Sequence, residues 1–364
     1  MWRLRLGQLI MASGIWSLFC GLSLPQDSIP SAENRRHEQP PRKVIVGTTM
    51  TAWYGNYPGL DQRLNEMCSL IAELAQESKD KYGRSPDLVL FSEYAITAGK
   101  PGLASEVAVE LDKRVLQALG EKAREHQTYV VFGGVIRQPR DQAVCLNSAV
   151  ILDRSGDLVG IYSKVHPVLD RGQEKGKETL EGGILPGREF NVFDLDFGRV
   201  GLQICYDVEY PEGWQKLADK GAEIVLFPTQ SPQLTRPAMY AATHEYWVVS
   251  STFRKTASFF EPGTGLVAAQ ITEPKRTLVH EFDLSYLILP WSAGLRNGQA
   301  FRDAFGDRVG FRYSESEDRG VFWSNDDNTT IASMARQLNL RETPEEPQAR
   351  AKLVQDRLRG RSPK

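Results

Sequence analysis

Short apolar runs alternate with amphipathic runs along most of this sequence, and that alternation limits the possible folds more than any other feature. Apolar runs at residues 44–50, 88–91 and 129–135 predict strands, and the stretches 60–81 and 104–127 carry apolar residues at helical spacing. Later in the chain the same pattern predicts a hairpin over 148–152 and 158–162, strands over 223–228 and 247–251, and a helix over 237–246. The sequence therefore predicts an α/β fold in which helices cover at least one face of a sheet.

One pair of predicted strands leads to a cysteine. Residues 193–197 alternate between apolar and acidic side chains, which predicts a strand; a turn at 198–199 and a second strand over 200–204 follow. Cys205 comes next, and Pro211 opens a predicted helix. A cysteine at such an elbow holds its sulfur where a substrate can reach it, beside backbone N–H groups that can receive negative charge. The alternative is a small buried apolar residue, as most free cysteines are.

Composition excludes several classes of protein. The chain has 364 residues, of which 41% are hydrophobic and 25% charged, as is typical of soluble globular proteins. A net charge of −2 gives no reason to expect a nucleic acid as partner. The four cysteines and five histidines show no paired spacing, so we expect no metal site, and nothing in the sequence points to a cofactor.

The ends of the chain differ from its middle. Residues 1–24 combine a basic start with an apolar run, which predicts an export signal and leaves an uncleaved membrane anchor as the alternative. Residues 25–42 are polar and proline-containing, as in a linker, 43–325 form the predicted catalytic domain, and 326–364 a C-terminal extension. We therefore expect an exported protein, periplasmic or extracellular.

Three reactive side chains end or follow predicted strands: Glu93, Lys164 and Cys205. In α/β proteins, sites form where the carboxyl ends of strands gather, so we expect these residues to meet. Taken singly, each charged residue is equally well explained as a solvated strand end. Together they supply a nucleophile, a base that can remove its proton, and a cation that can stabilise the thiolate and the oxyanion, with the backbone N–H of Tyr206 as second oxyanion donor.

The segments around these residues resemble the three signatures of the nitrilase superfamily of carbon–nitrogen hydrolases. The resemblance is carried by Phe91-Ser92-Glu93-Tyr94, by Tyr162-Ser163-Lys164-Val165-His166-Pro167, and by Gln203-Ile204-Cys205-Tyr206-Asp207 with Pro211-Glu212. Asn147-Ser148-Ala149, Leu185-Pro186-Gly187 and Pro228-Thr229 also match the family pattern. Three motifs in the right order make a chance agreement improbable.

The resemblance implies a four-layer α-β-β-α sandwich, commonly dimerised or assembled into larger homo-oligomers. It implies Glu93 as general base and acid, Lys164 as oxyanion donor and Cys205 as nucleophile. Members of the family also carry a second glutamate before the Pro-Gly turn. Glu181 fits that spacing best, and Glu178 is the alternative.

The sequence departs from the family pattern at three places. Thr243-His244 stands where many relatives have Glu-Asn, in a region that often lies near the substrate, and Glu209 stands where relatives often have Arg. Tyr206 follows the cysteine where nitrilases usually have Trp, which favours a small amide or carbamoyl substrate over a nitrile.

Two alternatives to hydrolysis follow from the same residues. An N-acyltransferase would pass the thioester to an amine instead of water, and a non-catalytic protein could keep the fold as a binding module.

Overall fold

The computed structural model describes residues 36–340 and 345–360, apart from residues 54, 56, 139 and 140. The leader predicted for residues 1–24, and the linker as far as residue 35, lie outside the described residues. Residues 36–42 begin with a short 3-10 helix, Arg36–Glu38, and lead directly into the first strand.

Strands and helices alternate through the described chain. The strands are β1 (Lys43–Thr49), β2 (Leu88–Leu90), β3 (Tyr129–Gln138), β4 (Asp141–Leu152), β5 (Leu158–Ser163), β6 (Val192–Leu195), β7 (Gly198–Leu202), β8 (Ile224–Pro228), β9 (Trp247–Ser251), β10 (Thr256–Phe260), β11 (Val267–Thr272), β12 (Thr277–Asp283), β13 (Tyr286–Pro290), β14 (Val309–Ser314) and β15 (Arg319–Ser324). The helices are α1 (Leu60–Tyr82), α2 (Ala104–Val107), α3 (Lys113–His126), α4 (Pro211–Asp219), α5 (Thr235–His244), α6 (Gln299–Phe305), α7 (Ile331–Gln337) and α8 (Glu345–Arg359).

The strands of the described residues form two six-stranded sheets and one smaller sheet. The first sheet has the order β12-β1-β2-β3-β4-β5, and the second has the order β11-β10-β9-β8-β7-β6. The third sheet is β13-β15-β14. In the first sheet β1, β2 and β3 are parallel, and in the second β7, β8 and β9 are parallel.

The two large sheets pack face to face between two layers of helices. Apolar side chains of both sheets share one buried core, which includes Val46, Leu90, Val131, Val200, Leu202 and Leu226. The outer face of the first sheet packs on α1 and α3, and that of the second on α4 and α5. The fold is therefore the four-layer α-β-β-α sandwich that the sequence led us to expect.

Alternation along each strand explains why the strands read as continuous apolar runs. In β2, Leu88 and Leu90 point between the sheets, whereas Val89 packs under the outer helices. In β8, Leu226 points between the sheets and Val225 packs toward α4 and α5. Both faces of β2 and β8 are buried, so neither face of these strands selects polar residues.

Two local predictions were wrong. The helix predicted over 104–127 is broken into α2 and α3, because Val109 leaves the helical path to pair with Ile136, and Asp112 caps α3 by accepting from the backbone N–H of Val115 at 3.1 Å. The turn predicted at 198–199 lies at 196–197, because Gly198 already pairs with Leu195 in the ladder between β6 and β7.

The packed core runs past residue 325, where we placed the start of the C-terminal extension. Ile331 and Met334 of α7 are buried against the third sheet, beside Leu287 and Phe322. Helix α8 follows, with an exposed Leu353. In the described part of the chain, no helix combines the length and the apolar composition needed to cross a membrane.

A glycine lets the first sheet approach the turn that carries Glu93. A Cβ atom at Gly133, in β3, would lie 2.8 Å from the carbonyl oxygen of Ser92 and 3.0 Å from the Cα of Glu93. Both contacts are with backbone atoms, which cannot rotate away as a side chain can. The absence of a side chain at residue 133 therefore sets the position of the turn.

We predict that Gly133→Ala destabilises the fold by roughly 1–3 kcal/mol, because the new methyl group must displace the backbone at 92–94. Gly47→Ala in β1 is the matched control, since its Cβ would meet a rotatable methyl group of Leu74 at 3.2 Å. Chemical denaturation of both variants measures the difference. Equal stability of the two variants would contradict the close approach.

Candidate active site

The fold brings together the strand ends at which the reactive residues were expected. Glu93 follows the carboxyl end of β2, and Lys164 follows β5, which ends at the same edge of the first sheet. Cys205 follows β7 in the second sheet. The structure brings all three together, because Lys164 bonds Glu93 and the charges of both residues act on the thiol of Cys205.

The backbone that carries Lys164 is fixed from two sides. Its N–H donates to the carbonyl of Asn147 in β4 at 2.8 Å, and its carbonyl accepts from the N–H of Gly187 at 2.7 Å. A Cβ atom at residue 187 would lie 2.1 Å from the carbonyl oxygen of Ser163, so only glycine fits there. The turn at Pro186-Gly187 therefore fixes the position of the Lys164 backbone.

The carboxylate of Glu93 is buried and asymmetrically bonded. The side chain is 1% exposed. Its Oε1 accepts from Nζ of Lys164 at 2.9 Å and from Nδ2 of Asn147 at 2.8 Å. Its Oε2 has no hydrogen-bond partner among the described residues. One oxygen is thus fully occupied, and the other is left to accept a proton.

Glu181 is bonded on both oxygens. Oε1 accepts from Nζ of Lys164 at 2.6 Å and from the backbone N–H of Val168 at 2.9 Å. Oε2 accepts from the hydroxyl of Tyr94 and from Nδ2 of Asn147 at 3.1 Å. Four donors from four different residues hold this carboxylate in one orientation.

The alternative second glutamate does not reach the site. Glu178 is exposed and accepts from the backbone N–H of Gly176 at 2.6 Å, within its own loop. Of the two candidates, the structure places only Glu181 against Lys164.

Lys164 is 1% exposed and lies between two carboxylates. Burial on its own would lower the pKa of this ammonium group, but the charges of Glu93, Cys205 and Glu181 and the hydrogen bond that Lys164 donates to Glu181 raise it above its usual range. Lys164 therefore stays charged at any pH at which the protein works, and it acts as a fixed cation.

The elbow at Cys205 is held by the carboxylate of Asp207. Cys205 has φ of +44°, a conformation that favours glycine and that a cysteine adopts only where the surroundings impose it. Asp207 is fully buried and accepts from the N–H of Ile204 at 3.0 Å, the N–H of His166 at 2.9 Å and the hydroxyl of Tyr162 at 2.8 Å. It therefore ties the cysteine turn to the lysine loop.

The thiol of Cys205 is neutral in the resting site. Burial and the charge of Glu93 raise its pKa to about 12, against the opposing effects of Lys164 and of a hydrogen bond with Thr229. From the sequence we expected Lys164 to favour the thiolate. The lysine does act in that direction, but burial and the neighbouring carboxylate outweigh it.

Tyr206 directly follows the sulfur-bearing residue. It belongs to the short 3-10 helix Cys205–Glu209, so its backbone N–H lies one residue beyond the nucleophile. Its ring meets the ring of Tyr210 edge-on, with 5.8 Å between the centroids.

Four contacts in the site were not predicted from the sequence. Asn147 bonds both glutamates, Tyr94 bonds Glu181, Asp207 braces the elbow and Thr229 bonds the sulfur. Each of these residues was noted only as part of a motif. Their partners lie far away along the chain, so local patterns do not reveal the roles.

Thr243-His244, where the sequence departs from the family pattern, does not lie beside Cys205. Thr243 and His244 end α5, just before the amino end of β9, whereas Cys205 follows the carboxyl end of the parallel strand β7. They line a polar cavity of about 1170 Å³ at the opposite edge of the second sheet. Glu209 pairs with Arg236 at 2.9 Å.

The remaining cysteines and acids do not form a second reactive centre. Cys68 and Cys145 are free thiols, packed beneath α3 and beside α2 respectively. Among the described residues, no group of three or more histidine, cysteine, aspartate or glutamate side chains is arranged to hold a metal ion.

The sequence as a whole matches a known family. The family model described as carbon-nitrogen hydrolase matches residues 55–288, more than half of the chain. The chain belongs to the carbon–nitrogen hydrolase family. The resemblance inferred from the three motifs is thereby confirmed.

The relatives match this chain over different lengths. It is 26% identical to the omega-amidase NIT2-A of Xenopus laevis over 252 residues, which are 63% of this chain and 86% of the relative. It is 34% identical to the hydrolase C26A3.11 of Schizosaccharomyces pombe over 113 residues, which are 31% of this chain and only 34% of the relative. A citrullinase of Francisella tularensis is 36% identical over 90 residues, which are 25% of this chain and 30% of the relative.

Solved structures share the fold. Nit3 of Saccharomyces cerevisiae, a member of the nitrilase superfamily, superposes with a TM-score of 0.55 at 18% identity, covering 72% of this chain and 94% of Nit3. An amidase from Nesterenkonia sp. AN1, in complex with acrylamide, superposes with a TM-score of 0.53 at 16% identity, covering 66% and 91%. At such identities the likeness establishes the architecture alone.

We predict that Cys205 gives no thiolate absorbance at neutral pH, because its pKa is about 12. Glu93→Gln removes a charge that raises this pKa, so ionisation should move to lower pH by about one unit or more. Lys164→Met removes a charge that lowers it, so ionisation should move to higher pH. Ultraviolet titration, with Cys205→Ala as the blank, measures all three.

Glu178→Gln is the matched control for this titration, because Glu178 is an exposed acid that does not touch Lys164 or Cys205. It should titrate like the wild type. A full thiolate signal from wild-type Cys205 at pH 7 would contradict the electrostatics of the site.

Proposed function

We propose that this protein hydrolyses a non-peptide C–N bond of a small amide or N-carbamoyl substrate through a cysteine thioester, releasing ammonia or an amine. One observation carries the proposal. The buried carboxylate of Glu93 has one oxygen bound to Lys164 and Asn147 and one oxygen without a partner, and its charge acts on the thiol of Cys205. That arrangement suits removal of the thiol proton at the moment of attack.

In the first step the sulfur attacks the carbonyl carbon of the substrate. Because the thiol is neutral at rest, its proton passes to Glu93 as the S–C bond forms. The carbonyl π electrons move onto oxygen, so the step turns a neutral thiol, a carboxylate and an amide into a protonated glutamate and an oxyanion. The net charge of the site does not change.

The oxyanion needs donors that are already in place. Lys164 is charged, buried and held by two carboxylates, so it provides a fixed positive charge without reorganisation. The backbone N–H of Tyr206 is the proposed second donor. A donor of this kind typically contributes a factor of roughly a hundred or more to the rate.

Collapse of the oxyanion breaks the C–N bond. Glu93 returns its proton to the departing nitrogen, which leaves as ammonia or amine, and the acyl group remains on Cys205 as a thioester. Water then attacks the thioester and gives its proton to Glu93. The acid product leaves, and the sulfur takes the proton back, which restores the starting state.

The two glutamates divide the work because their surroundings differ. Glu181 accepts four hydrogen bonds, so it has no free lone pair directed at the substrate and serves to hold Lys164 and Asn147. Glu93 keeps one unpaired oxygen. The proton therefore travels through Glu93.

Relatives support this class of reaction. The matched proteins include omega-amidases and a citrullinase, whose names denote cleavage of amide and ureido C–N bonds. A structure of the Nesterenkonia amidase is described as carrying the acetamide moiety of fluoroacetamide, covalently added at the active-site cysteine. These are properties of those proteins, and they favour an amide over a nitrile here.

We also propose that the protein is exported and acts as a homodimer or larger homo-oligomer. The basic and apolar sequence of residues 1–24 supports export. Tyr210, Leu234 and Met239, at the α4–α5 side of the second sheet, are 40%, 38% and 48% exposed, which supports an interface there. Cell fractionation and sedimentation test the two proposals separately.

The decisive experiment is a screen of primary amides, N-carbamoyl amino acids and nitriles with the wild type and Cys205→Ala. We expect release of ammonia or amine from at least one amide or carbamoyl compound by the wild type. We expect a loss of at least roughly a thousandfold in Cys205→Ala with the fold intact, because no other group can form the thioester.

Cys68→Ala is the matched control, since Cys68 is remote from Glu93 and Lys164, and it should keep full turnover. Mass spectrometry of quenched wild-type enzyme should show the acyl group on Cys205. Turnover that requires an added amine would point to an acyltransferase instead, and wild-type turnover unaffected by Cys205→Ala would overturn the mechanism.

A further inference from the structure

Asn147 lies at the centre of the site although it carries no charge. It is 1% exposed and sits in β4, opposite Val135 of β3. Its backbone carbonyl accepts from the N–H of Lys164, and its side-chain Nδ2 donates to both Glu93 and Glu181. A single residue thus bonds the backbone of Lys164 and the carboxylates of both glutamates.

We propose that Asn147 is a positioning residue for the hydrolysis. Its side-chain amide clamps Glu93 to Glu181 with one N–H each, and it thereby leaves Oε2 of Glu93 as the oxygen that takes the proton from Cys205. The inference rests on the proposed function for its catalytic consequence, and on the geometry alone for the clamp.

The orientation of the amide follows from its partners. An asparagine NH₂ group has two hydrogens, and the two atoms in range of Nδ2 are carboxylate oxygens at 2.8 and 3.1 Å. With the amide flipped, its oxygen would face both carboxylates and be repelled by them. Both hydrogens are therefore used, and Oδ1 points away, without a partner among the described residues.

The clamp works together with the lysine. Nζ of Lys164 also bonds Glu93 and Glu181, at 2.9 and 2.6 Å, so the ammonium and the amide join the same two carboxylates. Two negative charges share one positive charge in a buried space, and mutual repulsion would otherwise push the carboxylates apart. The amide supplies donors without adding charge, so the lysine keeps its own charge available for an oxyanion.

The clamp makes the two oxygens of Glu93 unequal. Lys164 and Asn147 together occupy Oε1, the same atom, and leave Oε2 bare. If the amide were absent, the carboxylate would keep only one bond, to Lys164, and could rotate about its last torsion. Which of the two Glu93 oxygens takes the proton would then no longer be fixed.

The test compares Asn147→Ala with Asn147→Asp. Alanine removes both donors, and we expect kcat to fall about 10- to 100-fold with KM within about threefold, the usual effect of lost bonds to a charged group. Aspartate has the shape of asparagine but adds a third negative charge. We expect it to be about tenfold worse than alanine, whereas a role in packing alone predicts the reverse order.

Ser148→Ala is the matched control. Its buried hydroxyl pairs with Ser163 at 3.0 Å and touches no charged group, so kcat and KM should stay at the wild-type values.

Alkylation of Cys205 by iodoacetamide at neutral pH separates this inference from the proposed function, because it needs no substrate. The expected order of rates is wild type and Ser148→Ala, then Asn147→Ala, then Asn147→Asp, read by mass spectrometry of the Cys205 peptide. If no substrate is turned over but this order holds, the proposed function fails and the clamp stands.

Two outcomes would overturn the clamp. One is an Asn147→Ala variant that alkylates and turns over like Ser148→Ala, and the other is an Asn147→Asp variant that outperforms Asn147→Ala. Should Asn147→Asp fail to fold, as judged by circular dichroism, the comparison of Asn147→Ala with Ser148→Ala in kcat and in alkylation decides alone.

Discussion

The buried ammonium of Lys164 is the contact on which the rest of the site depends. It binds Glu93 and Glu181 at once, at 2.9 and 2.6 Å, and it is almost completely removed from water. Without a cation between them, the two carboxylates would repel each other in a buried space. The lysine in turn could not stay charged at 1% exposure without both carboxylates. Each charge is therefore tolerated only because the other two are present.

The sandwich makes this cluster possible because the first sheet brings three chain segments to a single edge. The carboxyl ends of β2 and β5 arrive there with Glu93 and Lys164, and β4 runs between β3 and β5 with Asn147. The second sheet brings Cys205 to the same edge. Because a shared apolar core holds both sheets, the strand ends that carry these residues keep a fixed separation.

The sequence predicted the alternating strands and helices, and it placed Glu93, Lys164 and Cys205 at strand ends, because both leave local signals; the four layers followed from the family resemblance. Apolar runs mark strands, and Glu93, Lys164 and Cys205 stand just after such runs. The break at Val109 was missed because it depends on pairing with Ile136, which no helical period can reveal. Asn147 was passed over for a similar reason: a polar residue in a strand looks ordinary until the two carboxylates beside it are known.

The neutral state of the Cys205 thiol affects how fast it is oxidised when no substrate is bound. Peroxides and disulfides react with sulfur that has lost its proton, and a thiol whose pKa is about 12 offers almost none of that form at rest. In the proposed reaction, the sulfur becomes nucleophilic only when a bound carbonyl draws the proton toward Glu93. An oxidising medium would therefore damage this sulfur slowly, although it is the proposed nucleophile once a substrate is bound.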